Sequence, residues 1–226
     1  HQKKAAALAN IKIGKLNSKI GKAIIDACNQ IINLKLIDEF PLSIWQTGSG
    51  TQTNMNANEV IANVALEIIG KEKGDYDAIS PLGHVNMSQS TNDTYPTALL
   101  VGFLKEYDPL LEAIKALSDS FHAKGVEFAG VIKMGRTQLQ DAVPMSLGQE
   151  FTAFGNTLLD DIKRLEEMSQ LFLEVNLGAT AIGTGINSHL DYPKIAVEAL
   201  ADLSGLPLVL APNPIAATSD TSAFVS

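Results

Sequence analysis

Phe151, Phe154, Leu158, Ile162, Leu165 and Phe172 recur at spacings of three, four and seven, which line one face of an α-helix and do not fit the two-residue period of a strand. The same periodicity governs Ile20, Ala23, Ile24, Ala27 and Ile31 after Ser18, and Val60, Ile61, Val64 and Ile68 before Gly70, a suitable helix end. A longer stripe runs from Pro96 toward Phe121 through Leu99, Phe103, Leu110, Ile114 and Leu117, with a kink or break expected at Pro109. A shorter helix is expected from "DYPK", with Asp191 as N-cap and Pro193 in its first turn, to Gly205. Strict alternation is nearly absent. Long apolar stripes must be buried against one another, so the fold class is all-α, a helical bundle.

Composition narrows the functions such a bundle can serve. At 226 residues, 46% apolar and 19% charged, the chain can bury one sizeable core or two small ones and is expected to be soluble. Seventeen Lys and Arg against 25 Asp and Glu give a net charge of -8, with no basic stripe to track phosphates, so nucleic acid is excluded as a partner. No apolar run reaches the length of a membrane span, and no membrane partner is expected. The single cysteine, Cys28, falls on an apolar helical face, which points to a reducing, cytoplasmic compartment. His1, His84, His122 and His189 show no metal-ligand spacing, and "GSG" and "GTG" are too short for a dinucleotide fingerprint. No cofactor is expected; activation by a divalent metal is not legible in these residues. "HQKKAAALAN" enters a helix already under way and "TSDTSAFVS" stops uncapped, so both ends read as cuts.

Between the helical stretches lie "QTGSGTQTNMNANE", "GHVNMSQSTNDTYP", "KMGRTQLQDAVPMS" and "LGATAIGTGIN", and the first three lead into long helices. Hydroxyls, amides and glycine at a helix start form an anion site, because free N–H groups and the helix dipole favour negative charge there. Capping by Ser90, Asn92 or Asp93 would explain one such run. Three, each longer than a cap requires, point to ligand binding. Arg136 is the one arginine inside a polar run, a candidate cation near the ligand, whereas Arg164 reads as solvated helix face.

"GSGTQTNMNANEVIAN", "HVNMSQSTNDTYPTA", "KMGRTQLQDAVPMSLGQEF" and "LEVNLGATAIGTGIN" resemble consecutive segments of the aspartase/fumarase superfamily, over essentially the whole chain. Within it, the second half is more similar to aspartate ammonia-lyases than to class II fumarases, which usually carry His where Gln138 stands. Fumarases also carry "HPND" and a lysine at a second dicarboxylate site, where this chain has Ser80, Pro81, Leu82, Gly83 and Met87. The resemblance implies a helical bundle truncated at both ends. Residues 1–89 would be the end of an N-terminal domain and 90–226 the early part of a central long-helix domain, with the C-terminal domain absent.

The implied activity is reversible elimination of ammonia from L-aspartate to give fumarate, through Cβ proton abstraction and an aci-carboxylate. The alternatives are a class II fumarate hydratase and a non-catalytic helical scaffold. Carried over by position, the substrate-binding residues would be Ser49, Gly50 and Thr51, then Ser90, Thr91 and Asn92, then Thr137 and Gln138, with Thr51 the foremost candidate of its segment. A neutral Gln cannot be a general acid, so Gln138 would only support catalysis by hydrogen bonding. The family's catalytic base is a Ser on a "GSSxMPxKxN" loop, which does not occur in these 226 residues. The implied partners are a small dicarboxylate and further copies of the chain, as a homotetramer whose active sites are shared among three subunits. The stripe from Phe151 to Phe172 would then serve as interface or as core.

Overall fold

A computed structural model describes residues 1–43 and 45–224. The reading of the chain's end as uncapped falls on Val225 and Ser226, outside the described residues. The fold is predominantly helical: α1 Gln2–Lys12, α2 Ser18–Ile32, α3 Thr51–Ile68, α4 Thr91–Glu127, α5 Leu147–Ser169, α6 Tyr192–Ser204 and the short α7 Pro214–Ser219. An antiparallel hairpin joins β1 Ile132–Thr137 to β2 Gln140–Ser146, and β3 Glu174–Val175 pairs in parallel with β4 Val209–Leu210. The chain divides into two compact units, residues 1–102 with 172–226, and residues 103–171.

In the first unit α1 packs on α2 and α6, and α2 packs on α3. Ala5, Ala6 and Ala9 are fully buried, and side chains this small let neighbouring helices approach closely. Ile24, Ala27, Ile61, Leu66 and Ile79 fill the core beside Cys28, each large aliphatic contributing roughly 1.5–3 kcal/mol by leaving water. Asn17 caps α2 by accepting the N–H groups of Lys19 and Ile20. Gly70, at φ 76°, turns the chain after α3 where a left-handed residue is needed. Asp191 precedes α6 as expected, although its side chain makes no capping bond, and Gly205 ends the helix at φ 72°.

In the second unit Phe121, Phe128, Phe151 and Phe154 form a chain of ring contacts with centroids 5.4–6.1 Å apart. Gly148 and Gly155 let α5 approach α4: a Cβ on the first would overlap Gly125 O, and one on the second the His122 ring. His122 is half-buried between Ser118 and Asn156 Oδ1. Ser146 and Gln149 form a reciprocal capping box at the start of α5.

The structure corrects two expectations. Pro109 does not break α4, which is continuous through it over the 37 residues from Thr91 to Glu127. Proline removes a single N–H from the ladder, a small part of the bonding in a helix this long. "KMGRTQLQDAVPMS" is a β-hairpin and not an irregular loop. In β1 the half-buried positions fall on Lys133 and Gly135 while the apolar Ile132 and Met134 are exposed, and β2 is exposed over its first five residues, so the apolar pattern does not mark a half-buried strand.

Candidate anion site at paired helix starts

The first polar run places Gly50 at the N-cap of α3 with φ 74°. A Cβ there would overlap the Tyr95 ring of α4, so the position requires glycine on two counts: left-handed backbone and close approach. Among the described residues no side chain caps α3, and its first-turn amides have no side-chain acceptor. The hydroxyls around them form a chain of their own, with Ser49 Oγ 3.0 Å from Thr47 Oγ1 and 3.3 Å from Thr51 Oγ1. Thr47 in turn donates to Gln52 Oε1. Ser49 and Thr51 are exposed.

The second run begins α4. Ser90 Oγ accepts the N–H of Asn92 at 3.2 Å, while Asp93 Oδ1 accepts the N–H of Ser90 at 2.9 Å, an aspartate version of the capping box. Ser90 and Asp93 thus cap the helix. Asn92 does not: its Nδ2 donates to Ala181 O at 2.7 Å. Thr91 Oγ1 accepts from Asn54 Nδ2 of α3 at 3.1 Å. Together with the Gly50–Tyr95 contact, this bond holds the first turns of α3 and α4 side by side. Ser49, Gly50 and Thr51 are therefore brought together with Ser90, Thr91 and Asn92.

Beneath this rim lies a buried polar floor that the sequence reading did not single out. Asn86 Oδ1 accepts from Lys3 Nζ at 2.9 Å, Asn54 Nδ2 at 3.3 Å and Asn58 Nδ2 at 3.2 Å. Lys3 Nζ also donates to Gln89 Oε1 at 3.0 Å. Burial lowers the Lys3 amine to about 7, against partial support from the negative charge of Asp93. Asp93 is fully buried; burial raises its carboxyl above the ordinary range, opposed by hydrogen bonds from Ser90, Thr180, Gly178 and Thr94. Asn176 Nδ2 donates to Asn92 O at 3.1 Å. The density of Asn and Gln in these runs was the available signal, but their partners lie 28 to 86 positions away.

The third run belongs to the second unit. Gln138 and Leu139 form the two-residue tip of the hairpin, both left-handed at φ 48° and 65°, beside the paired residues Thr137 and Gln140. Thr137 and Gln138 are exposed. Arg136, a candidate cation for the ligand, is paired across the hairpin with Asp141 at 3.0 Å. Arg164 pairs with Asp161 on an exposed helix face, as its context suggested. No group of three metal-ligating side chains occurs among the described residues, and among them no helix is long and apolar enough to cross a membrane.

Two helix starts dressed with hydroxyls and amides lie over a polar floor that includes the Lys3 amine and the Asp93 carboxylate, an arrangement suited to a small anion. The lyase family model matches residues 1–226, and the chain belongs to the lyase family. It is 55% identical to an aspartate ammonia-lyase of Pseudomonas aeruginosa over 224 residues, 99% of this chain and 47% of that protein. It is 49% identical to the aspartate ammonia-lyase of Escherichia coli and 52% identical to that of Bacillus subtilis, covering 47% of each. The chain therefore spans about half the length of the curated relatives it matches. Among solved structures, a fumarate lyase:delta crystallin from Brucella melitensis superposes with a TM-score of 0.91 at 52% identity, covering 99% of this chain and 49% of that one. A class II fumarase from Schistosoma mansoni gives 0.84 at 34%, covering 99% and 50%.

Proposed function

We propose that this chain is part of an enzyme that eliminates ammonia from L-aspartate to give fumarate, reversibly. The observation that carries the reading is the pairing of the α3 and α4 first turns, which sets Ser49 to Thr51 beside Ser90 to Asn92. In the reaction the Cβ–H bond breaks, the Cα–N bond breaks with its electron pair leaving on nitrogen, and a double bond forms between the carbons. As the proton leaves, charge spreads into the adjacent carboxylate. Donors already aimed at both of its oxygens stabilise that charge without reorganising, commonly the largest catalytic contribution.

The uncapped amides of α3, with the Ser49 and Thr51 hydroxyls, suit one carboxylate. The Ser90 and Thr91 hydroxyls and Asn92 suit the other carboxylate and the amino group. Thr137 and Gln138 are read as further hydrogen-bonding groups for substrate, which need not come from the same copy of the chain, Gln138 being unable to transfer a proton as an acid. The reading assigns proton abstraction to a serine on a loop that this chain does not contain. It further takes the intact protein to be a cytoplasmic homotetramer whose sites draw on three subunits, with residues 1–89 and 90–226 belonging to successive domains. Phe154, 47% exposed on α5, suits such an interface.

The test is to supply the full-length protein with L-aspartate or with malate and follow fumarate by its absorbance. Turnover of aspartate is expected. Turnover of malate alone would make the enzyme a hydratase. If neither reacts and aspartate, fumarate and succinate leave thermal stability unchanged, the chain is a scaffold.

A further inference from the structure

Asp93 is a fully buried carboxylate whose two oxygens accept four hydrogen bonds. Its Oδ1 accepts from Ser90 N–H at 2.9 Å and the Thr94 hydroxyl at 3.2 Å. Its Oδ2 accepts from Gly178 N–H at 3.1 Å and Thr180 N–H at 2.9 Å. One carboxylate thus joins the start of α4 to the loop that follows β3, some 85 positions further along the chain. That loop is shaped to meet it. Thr180 is left-handed at φ 60°, and Gly178, at φ 93°, lies where a Cβ would come within 2.6 Å of Pro193.

The same loop reaches Asn92 from both sides. Ala181 O accepts from Asn92 Nδ2, and Asn176 Nδ2 donates to Asn92 O. The orientation of Asn92 is therefore set by a loop whose own position is set by Asp93. We propose that Asp93 is a positioning residue: it clamps the loop 176–181 against α4 so that the Asn92 amide is fixed for substrate. This rests on the reading of Asn92 as a substrate-binding group. Asp93 touches no reacting atom; it acts through the loop. An aspartate is suited to this task where the isosteric amide is not. All four partners are donors, and an Asn would turn its own NH₂ toward two of them in either orientation.

The test uses the full-length protein and two readouts. First, hydrogen exchange at Gly178 and Thr180 is compared in wild type and Asp93→Ala, which removes both acceptor oxygens; faster exchange at this loop and at Ser90 is expected, with α2 unchanged. Unchanged exchange at the loop overturns the clamp whatever the activity. Secondly, kcat/KM for aspartate is measured in Asp93→Asn, Asn92→Ala and the double variant. A misplaced binding group costs on the order of 10²-fold, and residues acting as one unit do not add. Asp93→Asn and Asn92→Ala should each lose about 10²-fold, and the double variant should fall no more than about threefold below Asn92→Ala alone. Multiplicative losses overturn the proposal. If Asp93→Asn does not fold, Asn176→Ala, which removes the donor to Asn92 O and keeps the buried carboxylate, is read through the same cycle with the same outcomes. A wild type inactive on aspartate removes the functional reading and leaves the exchange result to decide the clamp.

Discussion

Lys3 holds its ammonium among neutral amide oxygens, and burial brings its pKa from 10.5 to about 7. The folded state therefore sheds a proton that the unfolded chain keeps until about pH 10.5, and stability attributable to Lys3 rises with pH across that interval. Cys28, raised from 9.0 to about 11 by burial, acts in the opposite sense above pH 9. The clean window is pH 7 to 9. Lys3→Met should flatten the rise in unfolding free energy there, measured by urea titration at each pH. Nothing in "HQKKAAALAN" distinguished Lys3 from the solvated lysine of any helix, because its partners Asn86 and Gln89 lie more than 80 positions away. Gly50 was legible as part of a polar run but not as a steric necessity, since that depends on Tyr95 crossing above it. Gly50→Ala should cost about 1–3 kcal/mol through left-handed strain alone, more with the ring displaced, and should be seen as a lowered thermal midpoint.

At the level of elements, the helices were legible because their stripes are long and their ends carry recognisable chemistry. Gly70 and Gly205 both follow a helix in the left-handed region expected of them. The hairpin was not legible. Turns with both central residues left-handed favour Asn-Gly, and this one carries Gln138 and Leu139, the latter 97% exposed. Leu139→Gly should therefore stabilise the protein by about 0.5–1 kcal/mol in denaturant titration, by relieving backbone strain at the tip. If Gln138 meets substrate, the same change should lower kcat/KM through the looser tip. Ser146→Ala, which removes one half of the capping box of α5, should cost about 1 kcal/mol in the same experiment.

For the whole molecule, the motifs gave the right family because four polar runs stand in register over essentially the whole chain, and the family model matches all 226 residues. They could not give the scaffold behind the runs. Asp93, Asn54, Asn86 and Asn176 act through partners supplied by other elements, and side-chain bonds of that range leave no local pattern. The adjacent first turns of α3 and α4 also bear on how the folded chain responds to electrolytes. Each helix start carries roughly half a positive charge and the Lys3 ammonium lies below them, against the one Asp93 carboxylate, so the excess positive charge repels unless an anion lies over them. Dissolved ions screen such a repulsion. Without ligand, thermal stability should rise as sodium chloride is added from low ionic strength, and saturating succinate should flatten that dependence, since a bound dianion already does what the salt would do.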